Sequence, residues 1–289
     1  GKQVKGQFVE VNGKNYYLDD HTGMLLVNCY LDKDGKHYQI DENGVVTERT
    51  KLPTNITGGH FEANDKGEWS YITEQGEKLT GFQYVDGVEL YFDKDGKQLK
   101  GQEITVDGKT YYLDQNTGDL LKNSYRNWSE KQIISRYKTN YIYHTSYFNR
   151  DGIRATGLVK TAAGFIHYFD ENGELLKNVA VNVGGTTYVF GERGRLARKS
   201  FIWDKVDFTF PENVNFYYGD EKGHAVKGLQ TIDGYQLYFD KDGRQAKDKI
   251  VQIDGKTYYF DKNNGRMVKN QWASVNVGGI SPASKDYRS

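Results

Sequence analysis

Residues 107–123 read DGKTYYLDQNTGDLLKN, and residues 254–270 read DGKTYYFDKNNGRMVKN. The two segments share one plan. Asp-Gly opens each, an alternating run follows, and an Asp-led turn closed by Gly ends it. Asp-Gly accepts the positive φ that a two-residue β-hairpin turn needs. The run between has the period of a strand with two unlike faces. In the first segment Tyr111 and Leu113 share one face, and Thr110 and Tyr112 share the other.

The closing pattern recurs along the chain. It reads YLDDHTG at Tyr17, YITEQG at Tyr71, YFDKDG at Tyr91, YLDQNTG at Tyr112 and YFNRDG at Tyr147. It continues as YFDENG at Tyr168, YYGDEKG at Tyr217, YFDKDG at Tyr238 and YFDKNNG at Tyr259, with degenerate copies at Gln39 and Val189. Seven of its ten spacings lie within one residue of 21, which marks an internal repeat. A lone hairpin of this size has too little core to stand. Stacked copies bury a continuous core through nearest-neighbour contacts. The expected fold is all-β, an elongated β-solenoid of stacked β-hairpin repeats of 21 residues. Leu90 and Phe92 lie opposite Tyr91, and their face is the expected core.

Three spacings are long, at 32, 35 and 28 residues. They define repeat blocks 1–49, 61–123, 146–199 and 214–274, inserts 50–60, 124–145 and 200–213, and a truncated repeat with a tail at 275–289. The inserts are expected to bend the array. Ser129-Glu130-Lys131-Gln132 has the spacing of a helix capping box. Residues 3–7 read as the tail of a preceding unit.

Composition excludes several classes. Lys plus Arg and Asp plus Glu each number 39, so formal charge is zero, and no basic stripe occurs. The drive toward nucleic acid or an anionic membrane is absent. No run of 18 apolar residues marks a membrane span. Tyr numbers 23 and Phe 14, far too many rings for a disordered chain. Cys29 stands alone, so there is no internal disulfide.

Catalytic and metal patterns are missing. His21, His37, His60, His144, His167 and His224 are scattered without ligand spacing. Asp32-Lys33-Asp34-Gly35 and Asp240-Lys241-Asp242-Gly243 lack the further oxygen ligands of a calcium loop and read as turns. The carboxylates recur with the repeat, whereas a catalytic pair would break the period. The expected chain is non-catalytic, without metal or cofactor.

Tyrosine faces suit the C–H face of a sugar, and a neutral ligand suits a neutral chain. Residues 80–101, TGFQYVDGVELYFDKDGKQLKG, and 227–247, KGLQTIDGYQLYFDKDGRQAK, carry a resemblance. They resemble the repeats of the C-terminal glucan-binding domains of glucansucrases, secreted bacterial enzymes that build α-glucans from sucrose. The resemblance covers nearly all the chain outside the inserts and tail. It implies a secreted or cell-surface module that binds α-glucan polysaccharide or oligosaccharide and tethers a larger secreted glucosyltransferase to its product.

Choline-binding modules and clostridial toxin repeats are related to these domains. A choline cage takes one Trp after the inter-unit Gly and another two residues before the second Tyr. The first position here holds Phe82, Gln102, Leu158 and Leu229, and the second holds Glu89, Thr110, Ile166, Gln236 and Thr257. The cation–π cage is therefore missing.

Sugar pockets of the glucansucrase family resemble a stacking Tyr beside a Gln-x-Lys motif. The resemblance implies contacts from Gln98 and Lys100 with Tyr91 or Tyr112, and from Gln245 and Lys247 with Tyr238 or Tyr259. Gln83 and Gln230 are implied helpers. Gln offers both a donor and an acceptor, and Lys offers donors, for adjacent hydroxyls. Leu120, Leu175, Ala225 and Met267 replace the Gln elsewhere, which implies structural units. Two competing readings are attachment to a cell-wall polymer and a passive spacer.

Overall fold

A computed structural model describes residues 4–27, 29–41, 43–49, 55–136, 138–205 and 214–269. The expectations for Gln3, the Cys29 side chain, residues 50–54 and 206–213, and the truncated repeat and tail lie outside the described residues. Every regular element described is a β-strand, and there is no helix among them. The chain forms two compact units, Gly1–Leu176 and Lys177–Ser289.

Antiparallel hairpins follow one another in each unit. Gly81–Val85 pairs with Val88–Phe92, and Gln102–Val106 with Lys109–Leu113. Gly228–Ile232 pairs with Tyr235–Phe239, and Lys249–Ile253 with Lys256–Phe260. At the reversals both turn residues have positive φ, 48° and 85° for Asp86-Gly87 and 51° and 80° for Asp233-Gly234. This turn matches the right-handed twist of the flanking strands. The closing turns rest on their leading Asp. Asp93 Oδ1 accepts from the N–H groups of Asp95 and Lys97, both at 2.9 Å, so the carboxylate replaces ladder partners that the bend removes.

The residue before that turn is the core residue. Phe92, Leu113, Phe148, Phe169, Phe190, Phe239 and Phe260 are all fully buried. The Leu and Phe face is thus the inner face, as the alternation predicts. The core is a series of small clusters. Tyr147 packs with Ala155, Val159, Phe169 and Leu175 across two hairpins, and Val189 with Ala197, Ile202, Tyr217 and Ala225 across two more.

Main-chain hydrogen bonds stitch successive hairpins together. In the first unit the N–H of Gln98 donates to the Trp69 carbonyl, Leu120 to Glu89, Arg154 to Thr110 and Leu175 to Thr145, all at 2.7–2.8 Å. In the second unit Ala225 donates to Thr187, Gln245 to Phe216 and Met267 to Gln236 over the same distances. Within each unit these closing turns therefore lean on the hairpin before them.

Three features depart from the sequence reading. Ser124–Ser135 and Lys138–Phe148 form a long hairpin where the capping spacing pointed to a helix. Ile133, Ile134, Tyr141, Ile142 and Tyr143 are β-branched or aromatic, and a paired ribbon suits them better. Asn55–Ile56, within an insert, adds a parallel strand against Tyr84 and Val85. The copy aligned at Tyr217 is shifted by one residue. Tyr218 stands opposite Phe201 as Tyr91 stands opposite Phe82, so Gly219 occupies the buried Phe place. A Cβ there would lie 2.1 Å from the Ala197 carbonyl oxygen, which leaves room for Gly alone.

Two stability predictions follow from this packing. Gly87 has φ of 85° and open space where a Cβ would stand, whereas a Cβ on Gly152 would meet Leu120 Cγ at 2.6 Å. Gly87→Ala is expected to cost about 1 kcal/mol and Gly152→Ala clearly more, read from urea midpoints. Burial pushes the Asp151 carboxyl from its ordinary value of 3.8 up to about 6. Its charged form therefore costs stability above that value and costs nothing once both states are protonated. Equivalent turns carry Asn43 and Asn172 at this place. Asp151→Asn is expected to stabilise the first unit by roughly 1–2 kcal/mol near neutral pH and to change little at about pH 3, by thermal unfolding.

Candidate functional site

Within each unit the second residue after several closing glycines lies beneath the next repeat's closing glycine. Leu120 lies so under Gly152, and Leu196 under Gly223, where a Cβ would sit 2.6 and 2.4 Å from the leucine Cγ atoms. Gln98 holds this position under Gly118 and Gln245 under Gly265, with 2.6 and 2.3 Å to the amide nitrogens. Both glutamines are consequently buried, at 6% and 9% exposure.

Their polar atoms are met by the next turn. Gln98 Nε2 donates to the Thr117 carbonyl and Gln245 Nε2 to the Asn264 carbonyl, each at 3.0 Å. Lys100 Nζ donates to the Asn116 carbonyl at 3.3 Å and Lys247 Nζ to the Asn263 carbonyl at 3.1 Å. The Gln98 and Gln245 main-chain bonds end on aromatic residues, Trp69 and Phe216. The other stitches end on Glu89, Thr110, Thr145, Thr187 and Gln236.

In the first unit these groups line a cleft of ≈ 380 Å³. Phe61, Trp69, Val85, Val88 and Leu90 supply its apolar lining, and Gln98, Lys100, Thr117, Asp86 and Asp119 its polar lining. Trp69 is 45% exposed and Phe61 40%. The second unit repeats the composition. Phe201 and Trp203 are 40% and 46% exposed, Trp203 pairs across the hairpin with Phe216, and Lys247 Nζ lies 3.4 Å from the Phe216 ring centroid. Burial pushes the Lys247 ammonium below its ordinary value, against the pull of Asp261. An open ring beside an amide and an ammonium can stack on an apolar disc while bonding its polar edge.

The other residues singled out in the sequence take different places. Gln83 Nε2 donates to the Thr80 carbonyl at 2.7 Å and Gln230 Nε2 to the Lys227 carbonyl at 2.6 Å, so each amide caps its own hairpin entry. Tyr91 packs edge-on against Phe82 at 4.9 Å, and Tyr238 packs at 5.8 Å from Phe260. Arg126 covers the Tyr112 ring at 4.2 Å. Tyr259 donates its hydroxyl to Asp248 at 2.8 Å. All four tyrosines are half-buried.

Trp69, Phe61, Trp203, Phe201 and Phe216 were not among the sequence candidates. A signal for two of them was available. Trp69 stands two residues before Tyr71, at the second cage position of its repeat. Trp69 and Phe216 also each precede a motif glutamine by 29 residues. Among the described residues no three His, Cys, Asp or Glu side chains gather as a metal site.

Comparison with known proteins matches residues 79–125 and 226–272 to the choline-binding repeat family, and residues 6–20 to a putative cell wall binding repeat. Glucosyltransferase-S of Streptococcus mutans is 32% identical over 94% of the chain, and glucosyltransferase-S of Streptococcus downei 30% identical over 95%. The chain spans only 15% and 21% of the lengths of these relatives. The choline-binding domain of CbpL from Streptococcus pneumoniae overlays 73% of the chain and 98% of its own, with 21% identity and a TM-score of 0.48. The chain is a homologue, over nearly its whole length, of a segment of the streptococcal glucosyltransferases, and it carries repeats of the choline-binding and cell-wall-binding type.

Proposed function

We propose that this chain is a non-catalytic module that binds an α-glucan, and that it tethers a secreted glucosyltransferase to its polymer product. The observation that carries the reading is the first-unit cleft, which joins the exposed Trp69 ring to Gln98 and Lys100. A pyranose presents an apolar C–H face and a rim of hydroxyls. The ring takes the face by dispersion, and the amide and ammonium take the rim. Zero net charge suits an uncharged polymer. Gln245, Lys247, Phe216 and Trp203 offer a second site of the same kind. Two weak sites on one polymer gain by effective concentration. Tyr91, Tyr112, Tyr238, Tyr259, Gln83 and Gln230 serve in this reading as flanking contacts. Continued stitching of hairpins in one direction would give the elongated solenoid that displays such sites in a row.

A second reading has its own support. Trp69 and Phe61 put two rings at the cage positions of one repeat, and the matched family is a choline-binding repeat family. Such a cleft could take a cationic cell-wall group beside Asp86 and Asp119.

Affinity electrophoresis in dextran gels separates the two. The intact chain is expected to be retarded, with no release by choline. Trp69→Ala and the pair Gln98→Ala/Lys100→Ala are each expected to weaken the first site about tenfold, and Gln245→Ala/Lys247→Ala the second. An unretarded intact chain rejects the glucan reading. Retardation abolished by choline favours the wall-polymer reading.

A further inference from the structure

Closing turns come in two lengths. In most, the glycine N–H donates to the residue three back, as Gly96 does to Asp93, Gly152 to Asn149 and Gly243 to Asp240. In three, it donates to the residue four back: Gly23 to Asp19, Gly118 to Asp114 and Gly265 to Asp261. Each long turn follows a Gln-x-Lys by one repeat, namely Gln3-Val4-Lys5, Gln98-Leu99-Lys100 and Gln245-Ala246-Lys247. No four-residue turn follows such a motif. The lysines meet the same carbonyl in all three cases, the third residue of the turn. Lys5 reaches His21 at 2.7 Å, Lys100 reaches Asn116 at 3.3 Å and Lys247 reaches Asn263 at 3.1 Å.

We infer that the extra residue of the long turn, the one before its glycine, is the specificity-determining element of these sites, because its carbonyl fixes which end of the glutamine amide faces the ligand. Glutamine can present either its NH2 or its oxygen, since the two ends have nearly the same shape. A carbonyl only accepts. Thr117 and Asn264 therefore hold the NH2 ends, at 3.0 Å, and turn Oε1 the other way. A four-residue turn lacks this residue and leaves the amide unoriented. The fixed Oε1 then accepts from one sugar hydroxyl while a free N–H of the neighbouring ammonium donates to the next. A vicinal diol is the matching ligand chemistry, and the inference rests on the carbohydrate reading of the cleft. Thr117 and Asn264 are positioning residues that act through Gln98 and Gln245.

The test uses the intact chain with the second site silenced by Gln245→Ala/Lys247→Ala, and measures isomaltotriose binding by calorimetry. Deletion of Thr117 leaves Asp-Gln-Asn-Gly, close to the Asp-Glu-Asn-Gly turn of residues 170–173. It is expected to weaken binding about tenfold, as is Gln98→Leu, and the two together are expected to add nothing further. Gln98→Glu supplies acceptors but no donor for Thr117, and is expected to lose binding, with a folded chain confirmed by its thermal unfolding transition. Parental affinity in the Thr117 deletion or in Gln98→Glu, with Gln98→Leu weakened, overturns the inference and leaves the carbohydrate reading standing. A parent that fails to bind isomaltotriose overturns both.

Discussion

Within each unit a repeat stands because its closing turn rests on the repeat before it. The contact has two parts, the main-chain bond from the residue after the turn and the seat beneath the next glycine. Gln98 illustrates both, bonded to the Trp69 carbonyl at 2.7 Å and covered by Gly118. A two-stranded hairpin has no core of its own, so this contact is where apolar area leaves water. Phe92, Leu113 and Phe239 are fully buried only because a neighbouring hairpin lies over them. Stability is then nearest-neighbour in kind, and the small clusters around Phe169 and Tyr217 are its local expression.

The same contact shapes the cleft proposed to bind the ligand. A seat filled by Leu120, Leu196 or Ala225 closes the junction between repeats. A seat filled by Gln98 or Gln245 places an amide there and needs a carbonyl to receive it. Burying an amide without partners costs about 1–3 kcal/mol, so the polar seat and the longer turn belong together. Trp69 and Phe216 lie at the other end of the same stitch. Ring, amide and ammonium are thus brought together by the junction that holds the fold, which keeps them stiff.

The repeat, its turns and its inner face were legible from residue order. Asn-Gly and Asp-Gly mark hairpin reversals because few residues accept positive φ, and Asn12 and Asp107 have φ of 51° and 50°. Local signals failed where pairing overrode them. Ser129 to Gln132 carries the capping-box spacing, yet the segment pairs with residues 140–143 as strand. Gly219 hid its repeat position because it lacks the Phe that marks the others.

The sequence alone determined the period, the hairpins, the alternation of faces and the placing of Gln-x-Lys after a turn. These are properties of short windows, set by backbone sterics and by the two-residue repeat of a strand. Only the tertiary structure decided which ring meets which glutamine. Trp69 and Gln98 lie 29 residues apart, in different hairpins, while Tyr91, nearer in sequence, packs against Phe82 of its own hairpin. Stacking sets that neighbourhood, because a residue's partners across a junction depend on how two hairpins are seated and not on what lies beside it along the chain.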